Sequence, residues 1–317
     1  MPTQIPNSRV MPRFAGLVTF GRYPRVADVS PADRPLDWVF YGVPFDGGVT
    51  YRPGARFGPR AIREESQYLK PYSMAHRVNV CEQLSLADAG DAPVSPYSAP
   101  ETARSVAEYA TDLPDPATAR LLALGGDHSV AYANIRATWE RRGRPPDGLA
   151  LIHFDSHLDT VDSVWGEKWG HASVFIRAIE DGLVDPGRMI SIGVKGPLNS
   201  AADTDFARRH GVTMVTRDEL ENSGPATIRA FVDGLGGAPA YVTFDVDVVD
   251  PAFAPGTGTP SVGGISSADA LTLVRSLRGL NVAGADVVEV LPDRDHAGIT
   301  ALLAAHVAFE IVCLSCP

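Results

Sequence analysis

The feature that most narrows what this chain can fold into is a rhythm of short, continuous apolar runs. Trp38–Val43, Leu121–Leu124, Leu149–Phe154, Met189–Val194, Val212–Thr216, Tyr241–Phe244 and Val282–Val290 are bounded by Gly, Pro or Asp. They do not alternate polar with apolar residues, which is the pattern of strands covered on both faces. Between them lie stretches of helical length, such as Ala103–Thr111, Ser129–Arg141, Val174–Glu180 and Ala268–Leu277. Strand and helix in alternation predict an α/β fold, a parallel sheet with helices on both faces. No internal repeat or long linker interrupts the pattern, and Arg144–Gly148 reads as a loop between elements. A single domain over residues 1–317 is therefore expected, with residues 1–35 as an arm before the first strand. In such sheets ligands gather at the carboxyl ends of the strands.

Composition removes several classes of function. With 44% hydrophobic and 21% charged residues among 317, the chain is neither fibrous nor disordered. A formal charge of −10 repels phosphate backbones and anionic membranes, so neither nucleic acid nor membrane is an expected partner. No segment approaches the roughly 20 apolar residues of a membrane span. The run Ala15–Phe20 is too short for the core of a signal peptide. Three cysteines are too few for a disulfide framework, and a reducing cytoplasm is the expected compartment. Cys313 and Cys316 form a CxxC, but it follows the apolar run Val307–Val312 and reads as a buried helix end.

The chemistry-bearing residues follow three of the runs. One is followed by Gly125-Gly126-Asp127-His128, another by Asp155-Ser156-His157-Leu158-Asp159, and a third by Asp245-Val246-Asp247. Five carboxylates and two imidazoles thus fall at three strand ends that are expected to be adjacent. Unpaired carboxylates at this density repel one another, so either several are protonated or cations sit among them. Each motif alone is an ordinary capped turn; a metal cluster accounts for all three together. Oxygen-rich ligation with two imidazoles suits Mn²⁺ or a similar divalent ion, and no cysteine lies near these motifs. Two ions sharing carboxylates generate a nucleophile from water at neutral pH, which points to hydrolysis.

In this order and spacing, the GGDH, DSHLD and DVDVVDP segments resemble those of the ureohydrolases, the arginase and agmatinase family, which cleave a guanidino group to urea and an amine. The similarity extends to GVPFDGGVTYRPGARFGPRAIRE from Gly42, DAGDAPV from Asp88 and PAFAPGTGTP from Pro251. These segments look like the agmatinase, guanidinobutyrase and guanidinopropionase branch. The resemblance implies a three-layer α/β/α sandwich around a parallel sheet, assembled as trimers or hexamers. It also implies two Mn²⁺ per chain, with Ni²⁺ or Co²⁺ as alternatives. Position by position, His128 and Asp159 would hold one ion and His157 and Asp247 the other, with Asp155 and Asp245 bridging and water activated between the two. Glu289 matches the glutamate that grips the guanidinium, a planar donor suited to a carboxylate. His171 matches the histidine that passes a proton to the leaving amine, a task its ordinary pKa suits. His153 reads as a core residue able to support a ligand, and His76, His210, His296 and His306 receive no role.

Several positions depart from the branch: Ser156, Leu158, Ala172-Ser173-Val174 and Leu291 to Asp295. All are expected around the substrate mouth. Thr160–Gly170 is expected to form its wall, with Trp165 and Trp169 packing on substrate methylenes. Val161 stands where arginases carry an asparagine for the amino-acid carboxylate, which argues against arginine itself. A small guanidino substrate with an amine tail, agmatine yielding putrescine, is the first expectation. A carboxylate tail, as in guanidinobutyrate or guanidinopropionate, is the second. Asp162, Glu167, Asp293 and Asp295 are candidates to attract an amine, and Arg52, Lys168 and Arg294 to hold a carboxylate. Two further alternatives are hydrolysis of a formimino or other carbon–nitrogen bond, and a catalytically silent metal-binding subunit.

Overall fold

The structure is a computed structural model that describes residues 3–316. Its strands are β1 (Trp38–Gly42), β2 (Tyr72–Ser73), β3 (Val78–Asn79), β4 (Leu86–Asp91), β5 (Arg120–Leu124), β6 (Leu149–Phe154), β7 (Val184–Val194), β8 (Thr213–Thr216), β9 (Ala240–Asp245) and β10 (Val282–Val288). The helices are α1 (Gly58–Ser66), α2 (Val80–Gln83), α3 (Ala99–Thr111), α4 (Ala131–Arg141), α5 (Val174–Glu180), α6 (Asp205–Arg209), α7 (Arg217–Ser223), α8 (Ala226–Gly234), α9 (Ser267–Arg275) and α10 (Ile299–Cys313). Eight strands form one sheet in the order β4-β1-β5-β10-β9-β6-β7-β8, every pairing parallel. The two-residue strands β2 and β3 pair antiparallel outside it.

The continuous apolar runs are the reason for this arrangement. β1, β6, β9 and β10 are buried along their whole length, and a strand buried on both faces needs a helix layer on each. One layer holds α1, α8, α9 and α10, whose Ile62, Ile228, Val274 and Val307 join a cluster with Phe40, Ile152 and Phe244 of the sheet. The other holds α3, α4 and α5, through Val106, Ala133, Ile135 and Phe175. α10 is apolar on most sides and lies against α1, α9 and the sheet, its buried Glu310 paired with Arg275 and His76, and Cys313 ends it in the core. All three cysteines are free thiols. Among the described residues no helix is long and apolar enough to cross a membrane.

The expected elements all form, β6 and α5 with the expected bounds and the others with shifted ends. α3 begins at Ala99, four residues earlier than its apolar pattern, because the Ser98 side chain caps it by accepting from Glu101 N–H. Ser129–Arg141 divides into a 3₁₀ turn, His128–Val130, and α4. The edge strand β4 was not expected, since its sequence, LADAGD, is acidic. It is held by α1: the Arg63 guanidinium grips Asp88 with two bonds of 2.9 and 3.0 Å and reaches Asp91 at 2.6 Å. Asp88 also accepts the backbone N–H groups of Phe20 and Gly90, both at 2.8 Å. Phe20 in turn stacks on Phe40 at 4.4 Å, so the preceding segment is sewn to the first strand.

Removing Arg63 leaves the Asp88 carboxylate buried without its counter-charge. Arg63→Met is expected to cost about 3–5 kcal/mol in denaturant unfolding. A loss below about 1 kcal/mol would show that the β4 edge does not depend on this ion pair.

Candidate metal centre and substrate pocket

Register brings the site together. Phe154 of β6 pairs with Phe244 of β9, so Asp155 and Asp245 emerge level at the carboxyl edge of the sheet. Val288 of β10 pairs with Asp245, and Leu124 of β5 with Val287. The three motif-bearing strands are not all adjacent, contrary to what the sequence suggests: β6 and β9 are neighbours, but β10 stands between β9 and β5. The intervening strand is the one that delivers Glu289.

Tight local turns then aim the side chains. Gly125 and Gly126 have φ of 63° and 81°, and a Cβ on Gly126 would lie 2.6 Å from the Val43 carbonyl oxygen. Only glycine makes that turn, which doubles the chain back so that His128 faces the sheet edge. Asp155 Oδ1 accepts the His157 N–H at 2.6 Å, Asp245 Oδ1 the Asp247 N–H at 2.8 Å, and Asp247 Oδ1 the Ser156 N–H at 3.1 Å. Each of these carboxylates has one oxygen tied to backbone and its Oδ2 turned inward. Asp159 Oδ2, Asp155 Oδ2 and Asp245 Oδ2 lie 2.9, 3.0 and 3.3 Å from His128 Nδ1. His157 Nδ1 is 3.1 Å from Asp247 Oδ2 and 3.2 Å from Asp155 Oδ1.

These residues suit a divalent cation. His128 Nδ1 is buried among three carboxylate oxygens and has no hydrogen-bond partner, while its Nε2 is held by the Thr243 hydroxyl at 2.8 Å. The Phe175 ring packs edge-on against the imidazole. Asp155, Asp159, Asp245 and Asp247 are all buried. Burial, and then the charges of Asp247 and Asp155, push the Asp245 carboxyl well above its ordinary range; burial and Asp155 also push Asp247 up. Crowded carboxylates around a bare imidazole nitrogen describe a cation site of hard oxygen and imidazole donors. Two overlapping groups recur around Asp155: His128, His153, Asp155 and Asp159, and Asp155, His157 and Asp247. His153 is fully buried, as expected, and places Nε2 2.9 Å from Asp155 Oδ2 and Nδ1 3.0 Å from Ser191.

Beside this cluster, Glu289 Oε1 accepts the His128 N–H at 2.9 Å and lies 2.8 Å from His171 Nδ1. Its Oε2 is buried without a partner. His171 Nε2 lies 3.0 Å from the Thr50 backbone nitrogen, whose N–H donates to the neutral ring, and 2.7 Å from the Thr50 hydroxyl, which accepts from the protonated one. Burial alone would lower the His171 pKa. The bond to Glu289 and the charges of Glu289, Asp159 and Asp127 outweigh it and raise the value to about 9. Glu289 and Asp159 adopt φ of 64° and 52°, conformations costing about 1 kcal/mol or more each in a non-glycine residue.

A cavity of about 550 Å³ opens onto the cluster and includes Thr50, His157, Asp159, His171, Asp245 and Thr259 in its wall. Leu158, Val161, Val164, Trp165, Ala172, Pro197 and Leu198 make most of the rest. Trp165 is 84% exposed at the rim, whereas Trp169 is outside the lining and meets the Tyr132 ring edge-on at 5.0 Å. Of the departures expected at the mouth, Leu158 and Ala172 line it. Ser156, Ser173, Val174 and Leu291 do not; they are buried, with Ser156 bonded to Asp247 and Val174 in the core. The tail-binding candidates also lie elsewhere. Asp162 pairs with Arg177 at 2.5 Å, Glu167 accepts the N–H groups of Lys168 and Trp169, and Asp295 caps α10. Arg52 lies over the Tyr51 ring, and neither it nor Lys168, Asp293 or Arg294 lines the cavity. The segment Pro197-Leu198-Asn199 and Asp203 does line it, and nothing in its composition marks it as a pocket wall.

The sequence pattern of the arginase family matches residues 36–314. The chain is 43% identical over 306 residues to the guanidinopropionase of Pseudomonas aeruginosa, covering 96% of this chain and 93% of that one. The solved proclavaminate amidinohydrolase of Streptomyces clavuligerus is 38% identical, with a TM-score of 0.87 over 96% of this chain and 98% of its own. A hypothetical agmatinase from Burkholderia thailandensis is 36% identical, with a TM-score of 0.84 over 95% and 91%.

The raised pKa of His171 gives a pH dependence with a defined sign. A histidine whose folded pKa is above 6.5 stabilises the fold fully below that pH, and the contribution fades as pH rises through about 9. Glu289→Gln removes the main cause. In chelator-treated protein the Tm difference between wild type and Glu289→Gln is expected to be largest near pH 6 and smallest above about pH 9.5. A difference that grows with pH would contradict the pairing.

Proposed function

Since the chain belongs to the arginase family and is a hydrolase of guanidino carbon–nitrogen bonds, we propose that it releases urea from a small guanidino substrate at a pair of divalent ions, manganese first, with nickel or cobalt as alternatives. His128 and Asp159 would hold one ion, His157 and Asp247 the other, and Asp155 and Asp245 both. The observation that carries this reading is His128 Nδ1, buried without a hydrogen bond among the oxygens of Asp155, Asp159 and Asp245. When bound, the ions would make water nucleophilic at neutral pH and polarise the guanidino carbon.

The chain's own residues do the rest. The bare Oε2 of Glu289 would accept from the guanidinium N–H groups, and its Oε1 is kept in place by His171 and the His128 N–H. His171, held by Thr50 at the cavity wall, would give its proton to the departing amine nitrogen. Trp165 at the rim would cover the substrate methylenes.

For the tail, we read an amine. Among the described residues no lysine or arginine lines the cavity, whereas Asp203 does, its carboxylate also accepting the Asn199 and Ser200 N–H groups. A carboxylate entering this wall would be desolvated without a donor cation, and an ammonium would find a carboxylate. Agmatine, yielding putrescine, is therefore the first substrate. A guanidino acid is the second reading, favoured by the 43% identity to guanidinopropionase. The reading also includes a cytoplasmic homo-oligomer, trimer or hexamer. Free cysteines support the compartment, and the exposed Phe14, Leu17 and Met74 support association.

The test is urea release by the Mn²⁺-loaded protein from agmatine, guanidinobutyrate, guanidinopropionate and arginine in parallel. Agmatine is expected to lead in kcat/KM by about tenfold or more, equivalent to roughly 1.4 kcal/mol. A guanidino acid in first place would overturn the tail assignment alone. Urea from none of the four would contradict the substrate reading.

A further inference from the structure

Lys195 follows the last residue of β7, behind the cluster rather than in the substrate cavity. Its backbone N–H donates to the Ser156 carbonyl at 3.0 Å. Its ammonium donates to the Ser156 hydroxyl, to the Asp247 carbonyl at 3.0 Å and to the Val248 carbonyl at 3.4 Å. Three acceptors match the three N–H bonds of an ammonium. They are a hydroxyl and two carbonyls from two different strand-end turns, the one after β6 and the one after β9. Those turns carry His157 and Asp247, beside Asp155, Asp159 and Asp245.

Ser156 completes the joint. Its hydroxyl donates to the Asp247 carbonyl at 2.7 Å while accepting from Lys195. Its N–H occupies Asp247 Oδ1 at 3.1 Å, which leaves Asp247 Oδ2 to face His157 Nδ1 at 3.1 Å. The Thr259 hydroxyl steadies that same Oδ2 at 3.3 Å. Lys195 also lines a second cavity of about 590 Å³, with Val194, Gly196, Thr204 and Arg208, so a shorter side chain would open both turns to water from behind.

We infer that Lys195 is a positioning residue for the second ion, the one assigned to His157 and Asp247, through the bonds by which it locks the turn after β6 to the turn after β9. This inference rests on the two-ion reading above. The first ion shares Asp155, Asp159 and Asp245 with these turns, but its imidazole, His128, is set by Thr243 and by the turn after β5, so its affinity should depend on Lys195 less than the second ion's does.

The experiment is calorimetric titration of chelator-treated wild type, Lys195→Met and Lys195→Gln with Mn²⁺, with thermal unfolding of each metal-free protein alongside. Wild type is expected to bind two ions. Lys195→Met is expected to weaken the second by about 10–100-fold, the usual cost of losing a residue that orients a ligand. The first ion should weaken clearly less than the second, and the metal-free Tm should change by less than about 4 °C. Lys195→Gln, which keeps amide donors for the carbonyls without the charge, should recover part of the loss. Unchanged or stronger binding of the second ion in Lys195→Met overturns the inference, the latter because the ammonium would then chiefly repel the ion. An equal loss at both ions with a collapsed metal-free Tm makes Lys195 a general fold residue and also overturns it. If wild type binds fewer than two ions, the two-ion reading falls first and takes the inference with it.

Discussion

Four carboxylates are buried within reach of two imidazoles at the carboxyl edge of the sheet, and their mutual repulsion is the condition to which the surrounding structure answers. Left to themselves, buried like charges separate or take up protons. Here they do not separate, because strand register delivers Asp155 and Asp245 level with each other and backbone N–H groups hold one oxygen of Asp155, Asp245 and Asp247. The apolar sheet below is thus more than a core: its pairing fixes where the charges stand. Packing energy from the strands and both helix layers is what sustains this local cost.

Strain is concentrated in the same place. Asp159 and Glu289 hold left-handed backbone conformations, and Gly125 and Gly126 make a turn that leaves no room for a side chain. The Glu289 backbone is fixed by its N–H bond to the Gly126 carbonyl at 2.9 Å, so the β5 turn and the β10 end support each other. A carboxylate held this way loses little freedom on meeting a planar cation, which is the advantage of preorganisation.

Much of this was legible in the sequence, for physical reasons. Continuous apolar runs such as Leu149–Phe154 announce strands buried on both faces, and polar residues just beyond them fall where such sheets bind ligands. His128, Asp155, His157, Asp159, Asp245 and Asp247 could be singled out because carboxylates and imidazoles at strand ends are rare without a use. What escaped depends on pairing across long sequence distances. β4 is held at the edge by Arg63, which neutralises its Asp88, and Thr243, Ser191 and Lys195 matter only through the groups they face. Strand order was likewise hidden, so β10 was not placed between β5 and β9. Trp165 and Trp169 looked equivalent in the sequence, yet one stands at the cavity rim and the other against Tyr132.

The central claim is that register builds one site for two ions sharing Asp155 and Asp245, rather than two independent sites. Electron paramagnetic resonance of the Mn²⁺-loaded protein tests it most directly, because ions bridged by shared ligands couple magnetically. Two manganese ions per chain with an exchange-coupled spectrum are the expected result. A simple six-line signal from isolated Mn²⁺ at full loading would contradict it.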